Sequence, residues 1–427
     1  MPLTTIKIIR SEQYNRLQLL LIIILSIGLR LGAVFYLGDT LAGKQQERAY
    51  DQISYNALAQ SLLAGNGYRF STDWYPFTPA NTPTAHWSFI YPIFIAAVYF
   101  CFGPHPIAVR IIQAIISGIL LPLLLYRLGS QLQNKKTGLV AAILGAIYAY
   151  FVYYDATLMT ESFFILCLIA SFVIVNPIVS NQRIGPKQAL IKWLVLGIIM
   201  AIGTLLRQTY LLWIPFFLAW LYWMGRKKLH WWGPLTSLGI VALAILPWTI
   251  RNYSVYKTFL PLNSNAGYAI YSANHPDQGT QFDQDYAAPL PDDLIDLNLN
   301  EAQWNTALTL RGMHFILDDP GRYIILSLDR VPIFFNAWFS PESNLSSNLM
   351  RIFSYGLYLP FYLFGLLLSL KDWRRYSLIY LFAVIYTLIH IFTWASTRYR
   401  LPIDATMMPI AALAVINLLE RLQGKQR

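Results

Sequence analysis

An all-α polytopic membrane protein with about ten transmembrane helices is the fold class that this 427-residue sequence predicts. Three observations support it. Hydrophobic residues make up 56% of the chain and charged residues only 12%, with a mean hydropathy of +0.44, which is too apolar for a soluble globular protein. Apolar runs long enough to cross a bilayer recur along the whole chain. Lysines and arginines collect between alternate runs, as they do in cytoplasmic loops.

The first apolar run, 17–37, is longer than the hydrophobic part of a signal peptide and lacks a small-residue cleavage site, so we interpret it as a retained span. Nine further runs complete the ten, some of them barely long enough: 107–126, 137–154, 158–176, 191–206, 209–224, 232–250, 351–370, 377–395 and 402–419. The run 87–103 is short and contains Pro92, which predicts a helix lying along the outer membrane interface.

The distribution of charge tests this topology independently. Alternating the ten spans places nine of the eleven lysines in the cytoplasm and leaves 18 of the 21 carboxylates on or facing the exterior. Counting 87–103 as a further span would invert every later loop and destroy this pattern. We therefore expect a multi-pass protein of the plasma membrane with both chain ends in the cytoplasm and its active site on the exterior, periplasmic side. The net charge of +11 then reflects topology, and nucleic acid is not an expected partner.

Three regions follow from these spans. Residues 1–252 form an N-terminal membrane domain whose first exterior loop, 38–103, is predicted to carry the chemistry. Residues 253–348 are a soluble exterior insertion with eleven carboxylates against four basic side chains, and 349–427 hold the last spans. Within the insertion, apolar spacing predicts a helix over 303–317 and a loop over 274–300. The two cysteines, Cys101 and Cys167, lie in apolar runs and indicate neither a disulfide framework nor a thiolate metal site.

Several ionisable residues should meet at the exterior face under this topology. A carboxylate there could deprotonate an acceptor hydroxyl, and arginines could hold an anionic leaving group such as phosphate. The candidate carboxylates are Glu47, Asp51 and Glu161, the candidate arginines are Arg207, Arg251, Arg398 and Arg400, and the accompanying aromatic residues are Tyr50, Tyr55 and Tyr399.

Each candidate also has a purely structural alternative. Asp51 could be a solvated loop acid, since basic residues are excluded from that side. Glu161 opens an apolar run and could complement a helix dipole. Arg398 and Arg400 could extend to lipid headgroups. The six histidines show no metal-ligand spacing, and no glycine-rich phosphate loop is present.

The order of several short motifs resembles bacterial membrane glycosyltransferases related to protein O-mannosyltransferases and the lipid A aminoarabinose transferase. The motifs are Tyr50-Asp51-x-x-x-Tyr55, Gly65-x-Gly67-Tyr68, Ser88-Phe-Ile-Tyr91-Pro92, Thr160-Glu161-Ser162, Arg251-Asn252 and Thr397-Arg398-Tyr399-Arg400. The resemblance runs from about residue 17 to 420, excluding most of 253–348. It implies a C-type glycosyltransferase fold, a polyprenyl-phosphate-sugar donor that enters from the bilayer, and inversion at the anomeric carbon.

The resemblance also implies roles for individual residues. Asp51 matches the first-loop acid that acts as base or positions the acceptor, Glu161 matches the acid of the third exterior turn, and Arg398 and Arg400 fall where phosphate contact is expected. Many relatives carry a second carboxylate directly after the first, whereas this chain has Gln52. A divalent metal is therefore left open, and no other cofactor is required.

The sequence thus predicts an inverting glycosyltransferase that moves a sugar from a polyprenyl-phosphate donor to a glycan, lipid or protein acceptor on the outer face of the membrane. A transporter or lipid flippase is the alternative from another class, for which charges at mid-span and duplicated halves are expected. A surface-glycan polymerase or ligase is a third reading, which differs only in its product.

Overall fold

The computed structural model describes residues 3–41, 50–179, 185–225, 231–341 and 343–424, and for residues 3–12 and Tyr50 the backbone alone. These ranges are helical almost throughout, with two isolated β-bridges in the loop after α2. The helices are α1 (Leu3–Leu37), α2 (Tyr50–Leu63), α3 (Ile90–Phe102), α4 (Pro106–Leu132), α5 (Lys135–Ile147), α6 (Ala149–Asp155), α7 (Glu161–Val179), α8 (Pro186–Leu206), α9 (Thr209–Gly225), α10 (Trp232–Tyr256), α11 (Ala266–Ala273), α12 (Asp292–Ile295), α13 (Glu301–Asp318), α14 (Pro320–Phe334), α15 (Leu345–Arg351), α16 (Leu357–Ser369), α17 (Trp373–Phe392) and α18 (Leu401–Leu422).

Seven helical stretches in the described ranges are long and apolar enough to cross a membrane, or eight if the bent pair α5 and α6 forms one span. The bend of 59° falls inside the predicted span 137–154. Two shorter apolar helices, α3 and α9, have 13 and 17 residues. At about 20 Å, α3 is too short for the hydrocarbon core, as expected for an interfacial helix. The all-α membrane fold is confirmed, and the number of ten crossings stays a prediction.

The helical stretch Leu345–Phe392 doubles back on itself. The hydroxyl of Tyr380 donates a hydrogen bond of 2.5 Å to Ser369 Oγ. Eleven residues along a straight helix would separate these groups by about 16 Å, so the chain must reverse at the short 3₁₀ turn Leu370–Asp372. The helices α16 and α17 are therefore two separate helices, as the two predicted runs 351–370 and 377–395 require, and they pack mainly on α18 and on α9, respectively.

The centre of the bundle is α18, whose first half is almost entirely buried among α4, α5, α7 and α16. Small residues allow this close packing, as is usual between membrane helices. A Cβ atom added to Gly365 on α16 would lie 2.1 Å from the carbonyl oxygen of Ile410 on α18. The start of α18 and the turn before it are consequently held in a fixed position at one end of the bundle.

The segment after α10 contains α11 to α14. The helix predicted over 303–317 is confirmed as α13, which begins with a capping box between Asn300 and Gln303. Three other helices in this segment, α11, α12 and α14, were not predicted, and the short α12 lies within the predicted loop 274–300. Helix α14 joins the segment to the membrane helices, because its buried Arg330 donates to the carbonyl oxygens of Ala273 (2.5 Å) and, on α17, Ile391 (3.2 Å).

A buried carboxylate connects this segment to the loop after α2. Glu301, at the start of α13, is only 5% exposed. It accepts hydrogen bonds from Ala85 N (2.7 Å), Thr84 Oγ1 (3.1 Å), Thr78 Oγ1 (3.1 Å) and the Ser264 hydroxyl. Burial raises the pKa of the Glu301 carboxyl, although these hydrogen bonds act in the opposite direction. We call this group the Glu301 clamp.

Candidate active site

Asp51 and Arg398 form an ion pair between the first loop and the turn before the last helix. Asp51 lies in the first turn of α2, and its Oδ2 accepts a hydrogen bond of 2.6 Å from Arg398 Nη1. Both side chains are about a quarter exposed, at 25% and 23%. Arg398 belongs to the 3₁₀ turn Thr397–Arg400 that leads into α18. Two residues that are 347 positions apart in the sequence thus meet, as the predicted topology requires.

Glu161 joins the same cluster from the first residue of α7. Its Oε1 accepts a hydrogen bond of 2.6 Å from Nη1 of Arg207, which follows the end of α8, and lies 3.3 Å from Arg398 Nε. Glu161 is only 2% exposed. Arg398 therefore bridges the two carboxylates, and Arg207 supports the inner one. We call Asp51, Glu161, Arg207 and Arg398 the site cluster.

The second oxygen of Glu161 has no hydrogen-bond partner among the described residues. The Glu161 side chain lines a small cavity of about 10 Å³ together with Tyr154, Asp155 and Ser162. Leucine, isoleucine and phenylalanine side chains form most of its walls. The inner carboxylate thus has one buried oxygen that accepts no hydrogen bond from the described residues.

Tyr399 supports both arginines of the site cluster. The guanidinium carbons of Arg207 and Arg398 lie 5.1 and 5.0 Å from the centre of its ring. Arg398 Nη2 also donates a hydrogen bond of 3.2 Å to the Tyr399 hydroxyl. Cation–π contacts of this kind are attractive, and they offset the repulsion between two neighbouring cations.

Tyr55 lies one helical turn after Asp51 on α2 and is buried against the rings of Trp87 and Tyr91, each 5.0 Å away. Burial raises the pKa of the Tyr55 hydroxyl, and the nearby charges of Asp51 and Glu161 raise it further. The hydroxyl therefore stays protonated and can donate a hydrogen bond beside the carboxylates.

Two predicted arginines have their contacts outside the site cluster. Arg400 has no exposed surface, pairs with Asp404 at 3.2 Å, and donates to the carbonyl oxygen of Phe334. Arg251 donates to the carbonyl oxygen of Thr84 (2.8 Å) and stacks on Trp248. Both arginines hold the backbone around the site. Glu47 lies outside the described residues, as does the side chain of Tyr50.

His86 is a residue near Asp51 that the sequence analysis did not select. It is buried among the rings of Phe70, Trp74 and Trp87. Burial lowers the pKa of His86 to about 4, against the raising effect of the Asp51 charge. The imidazole is therefore neutral near pH 7. Its place directly before the apolar run 87–103 is the only sequence signal that could have indicated it.

The sequence did not predict the ion pair between Arg30 of α1 and Asp155 at the end of α6, which is almost fully buried. Arg30 also donates to Ser26 Oγ (2.7 Å) and to the carbonyl oxygen of Ala146 (3.1 Å). Asp155 lines the small cavity behind Glu161. The pair thus fixes the turn from which Glu161 projects.

Gln52 stands directly after Asp51, at the position where the resemblance would place a second carboxylate. Its Oε1 accepts hydrogen bonds of 3.1 Å from Leu158 N and from Arg110 Nη2. It therefore holds the segment before Glu161 and turns away from the partners of Asp51. Within the described ranges, no three His, Cys, Asp or Glu side chains come close enough together to hold a metal ion.

Comparisons with known proteins bear on this arrangement. Residues 86–250 match the family model described as dolichyl-phosphate-mannose-protein mannosyltransferase. The structure is similar to the archaeal oligosaccharyltransferase AglB from Archaeoglobus fulgidus, solved with an inhibitory peptide and a dolichol-phosphate. The TM-score is 0.61 at 14% identity, over 98% of this chain and 53% of that one. The fold is that of the C-type glycosyltransferases.

The C-type fold is also seen in ArnT from Cupriavidus metallidurans bound to undecaprenyl phosphate, with a TM-score of 0.54 at 12% identity over 94% of this chain and 61% of that one. This chain therefore spans little more than half the length of these structural relatives. The comparison with curated sequences gives no match. The fold that the motifs implied is confirmed.

Proposed function

We propose that this C-type protein is an inverting glycosyltransferase that moves a sugar from a polyprenyl-phosphate donor to an acceptor on the outer face of the plasma membrane. The observation that carries the proposal is the site cluster, in which two carboxylates and two arginines from four distant segments meet at one end of the bundle. The donor class is supported by the polyprenyl phosphates bound to AglB and ArnT.

The two carboxylates have different positions and suit different tasks. Asp51 is the more accessible, so it is placed to accept the proton of an acceptor hydroxyl as that oxygen attacks the anomeric carbon. The bond from this carbon to the phosphate oxygen breaks, and the electron pair leaves with the phosphate. Attack from the side opposite the leaving group inverts the anomeric centre. Glu161, deeply buried, positions Arg207 and Arg398.

Arg207 is the better placed of the two arginines to hold the phosphate. Arg398 already uses Nη1, Nε and Nη2 on Asp51, Glu161 and Tyr399. Arg207 uses only Nη1 on Glu161, and its Nε and Nη2 donate to no described residue. Its side chain remains 16% exposed. Two parallel N–H groups can grip a phosphate bidentately.

Replacing Arg207 by alanine should raise the KM for the donor about 10- to 100-fold, because a charge-assisted hydrogen bond contributes about 1.5–3 kcal/mol. Arg207→Lys should lose less, since it keeps the charge but not the fork. The assay is sugar transfer by purified protein in detergent, with donor lipids of different sugars. Arg311→Ala, which removes an exposed cation paired with Asp293, is the control. Equal donor KM in the Arg207→Ala and control variants would remove Arg207 from the donor site.

The positions of the buried charged residues argue against a transporter or flippase. In the described membrane helices, the buried acidic and basic residues lie within about two turns of the helix ends nearest the site cluster: Arg30, Arg110, Asp155, Glu161, Arg351, Arg400 and Asp404. A translocation path would need such groups across the whole span. A polymerase or ligase of surface glycans would use the same chemistry on another acceptor.

The exterior position of the site rests on the placement of lysines. A reporter fused after Arg427 should be active only in the cytoplasm, and one inserted at Gly279 only outside. The reverse pattern would place the site cluster on the cytoplasmic side and exclude an exterior transferase.

A further inference from the structure

A cavity of about 950 Å³ lies at the end of the bundle opposite the site cluster. One of its walls contains Arg421, which lies 20 residues after Leu401 on α18 and therefore about 30 Å along the helix axis from the site. The start of α5 and the chain reversal after α16 form the other walls. This volume is typical of a ligand site. We call it the basic cavity.

The cavity is strongly positive. Lys135, Lys136, Lys371 and Arg421 line it against one carboxylate, Glu420, which leaves three net positive charges (4 − 1 = 3). Lys136 and Lys371 pair with no carboxylate in the described part of the chain. The cations come from three separate elements that the fold brings together. The start of α5 also borders the cavity, and the positive end of its helix dipole adds to the attraction for an anion.

The remaining lining residues are not those of a simple anion site. Leu368, Leu413 and Ile416 give the cavity an apolar side along α16 and α18. Asn417 has a buried side-chain oxygen without a partner among the described residues, which could accept a hydrogen bond from a hydroxyl or ammonium group. A ligand that fits combines a phosphate, a polar group and a hydrocarbon chain.

We propose that the basic cavity binds the headgroup of an anionic phospholipid, with its phosphate against Lys136, Lys371 and Arg421 and its hydrocarbon chain along the apolar side. The site is separate from the donor site in place and does not depend on the proposed activity. Basic pockets between membrane helices bind lipid headgroups in this way. A free phosphate ion shares part of this chemistry, so the experiment includes it.

The test uses the full chain, purified and delipidated in detergent, with bound lipid counted by native mass spectrometry. Phosphatidylglycerol should bind at least about tenfold more tightly than phosphatidylcholine. The variant Lys136→Gln/Lys371→Gln/Arg421→Gln should lose this preference. The control Arg127→Gln/Lys187→Gln/Arg374→Gln removes three cations outside the cavity and should keep it. Asn417→Leu, which leaves the charge unchanged, should weaken phosphatidylglycerol binding severalfold.

Four results would distinguish the proposal from its alternatives and a lipid headgroup from free phosphate. Equal losses in the cavity and control variants would overturn the proposal, since they would show attraction to net charge alone. Equal binding of the two lipids by the unmodified chain would also overturn it. Competition by millimolar inorganic phosphate, absent in the cavity variant, would support the phosphate site itself. Without such competition, phosphatidylglycerol binding lost only in the cavity variant would assign the site to the lipid.

Discussion

Asp51→Asn should lower kcat for sugar transfer at least about 100-fold while the protein remains folded. The amide keeps the size and polarity of the carboxylate but cannot accept the proton of an acceptor hydroxyl near neutral pH, and general-base catalysis contributes about 10²–10⁴-fold. The loss should fall on turnover rather than on donor binding. Transfer by purified protein with a matched donor lipid, alongside a thermal unfolding curve, gives both quantities.

Two further variants make this experiment specific. Asp73→Asn changes an exposed acid of the same loop, whose Oδ1 accepts from Ala80 N, and should leave transfer unchanged. Glu161→Gln should lose less than Asp51→Asn, because Glu161 acts through the two arginines. Near-normal transfer by a folded Asp51→Asn variant would reduce Asp51 to a partner of Arg398, and the base would have to be sought at Glu161 or Glu47.

Asp155→Leu should be the most destabilising of the substitutions considered. It leaves Arg30 buried without its ion-pair partner, and breaking a buried ion pair from one side typically costs about 3–5 kcal/mol. Arg30→Met/Asp155→Leu, which removes both charges, should recover much of this loss. The midpoint of thermal unfolding in detergent, followed by size-exclusion chromatography of heated samples, measures the difference.

An exposed ion pair of the same chain is the matched control. Asp293→Leu breaks the pair with Arg311, whose side chains are 60% and 36% exposed, and should change stability by less than about 1 kcal/mol. Equal unfolding midpoints for Asp155→Leu and the double variant would contradict this expectation. They would mean that the unpaired Arg30 reaches water or another partner, and that the ion pair does not fix the position of Glu161.

The sequence predicted which residues lie close together where this depends only on which ends of the membrane helices meet. Asp51, Glu161 and Arg398 were expected together because alternating spans bring their segments to one face, and the structure joins them directly. It was less informative about side-chain direction. Arg400 follows Arg398 by two residues in a 3₁₀ turn, where about 120° separates successive residues, so the two side chains point to different sides.

The sequence also could not predict which buried residues pair with each other when they lie far apart along the chain. Arg30 sits within an apolar run, and its partner Asp155 is 125 residues away, so neither position identified the other. The bend between α5 and α6 has no proline or glycine at Tyr148 to mark it. Helix α14 begins with Pro320-Gly321 and is short, so its periodicity was easily missed beside the longer membrane runs.

The Glu301 clamp limits how this chain can be recombined with its relatives. Its donors come from residues 78–85 as well as from Ser264, so the two segments share one set of hydrogen bonds. A chimera that imports 253–348 from another protein without a carboxylate at this position would bury the Ala85 N–H and two threonine hydroxyls without an acceptor. The segment 253–348 therefore cannot be exchanged alone, and a graft that keeps these hydrogen bonds would have to transfer residues 78–85 together with it.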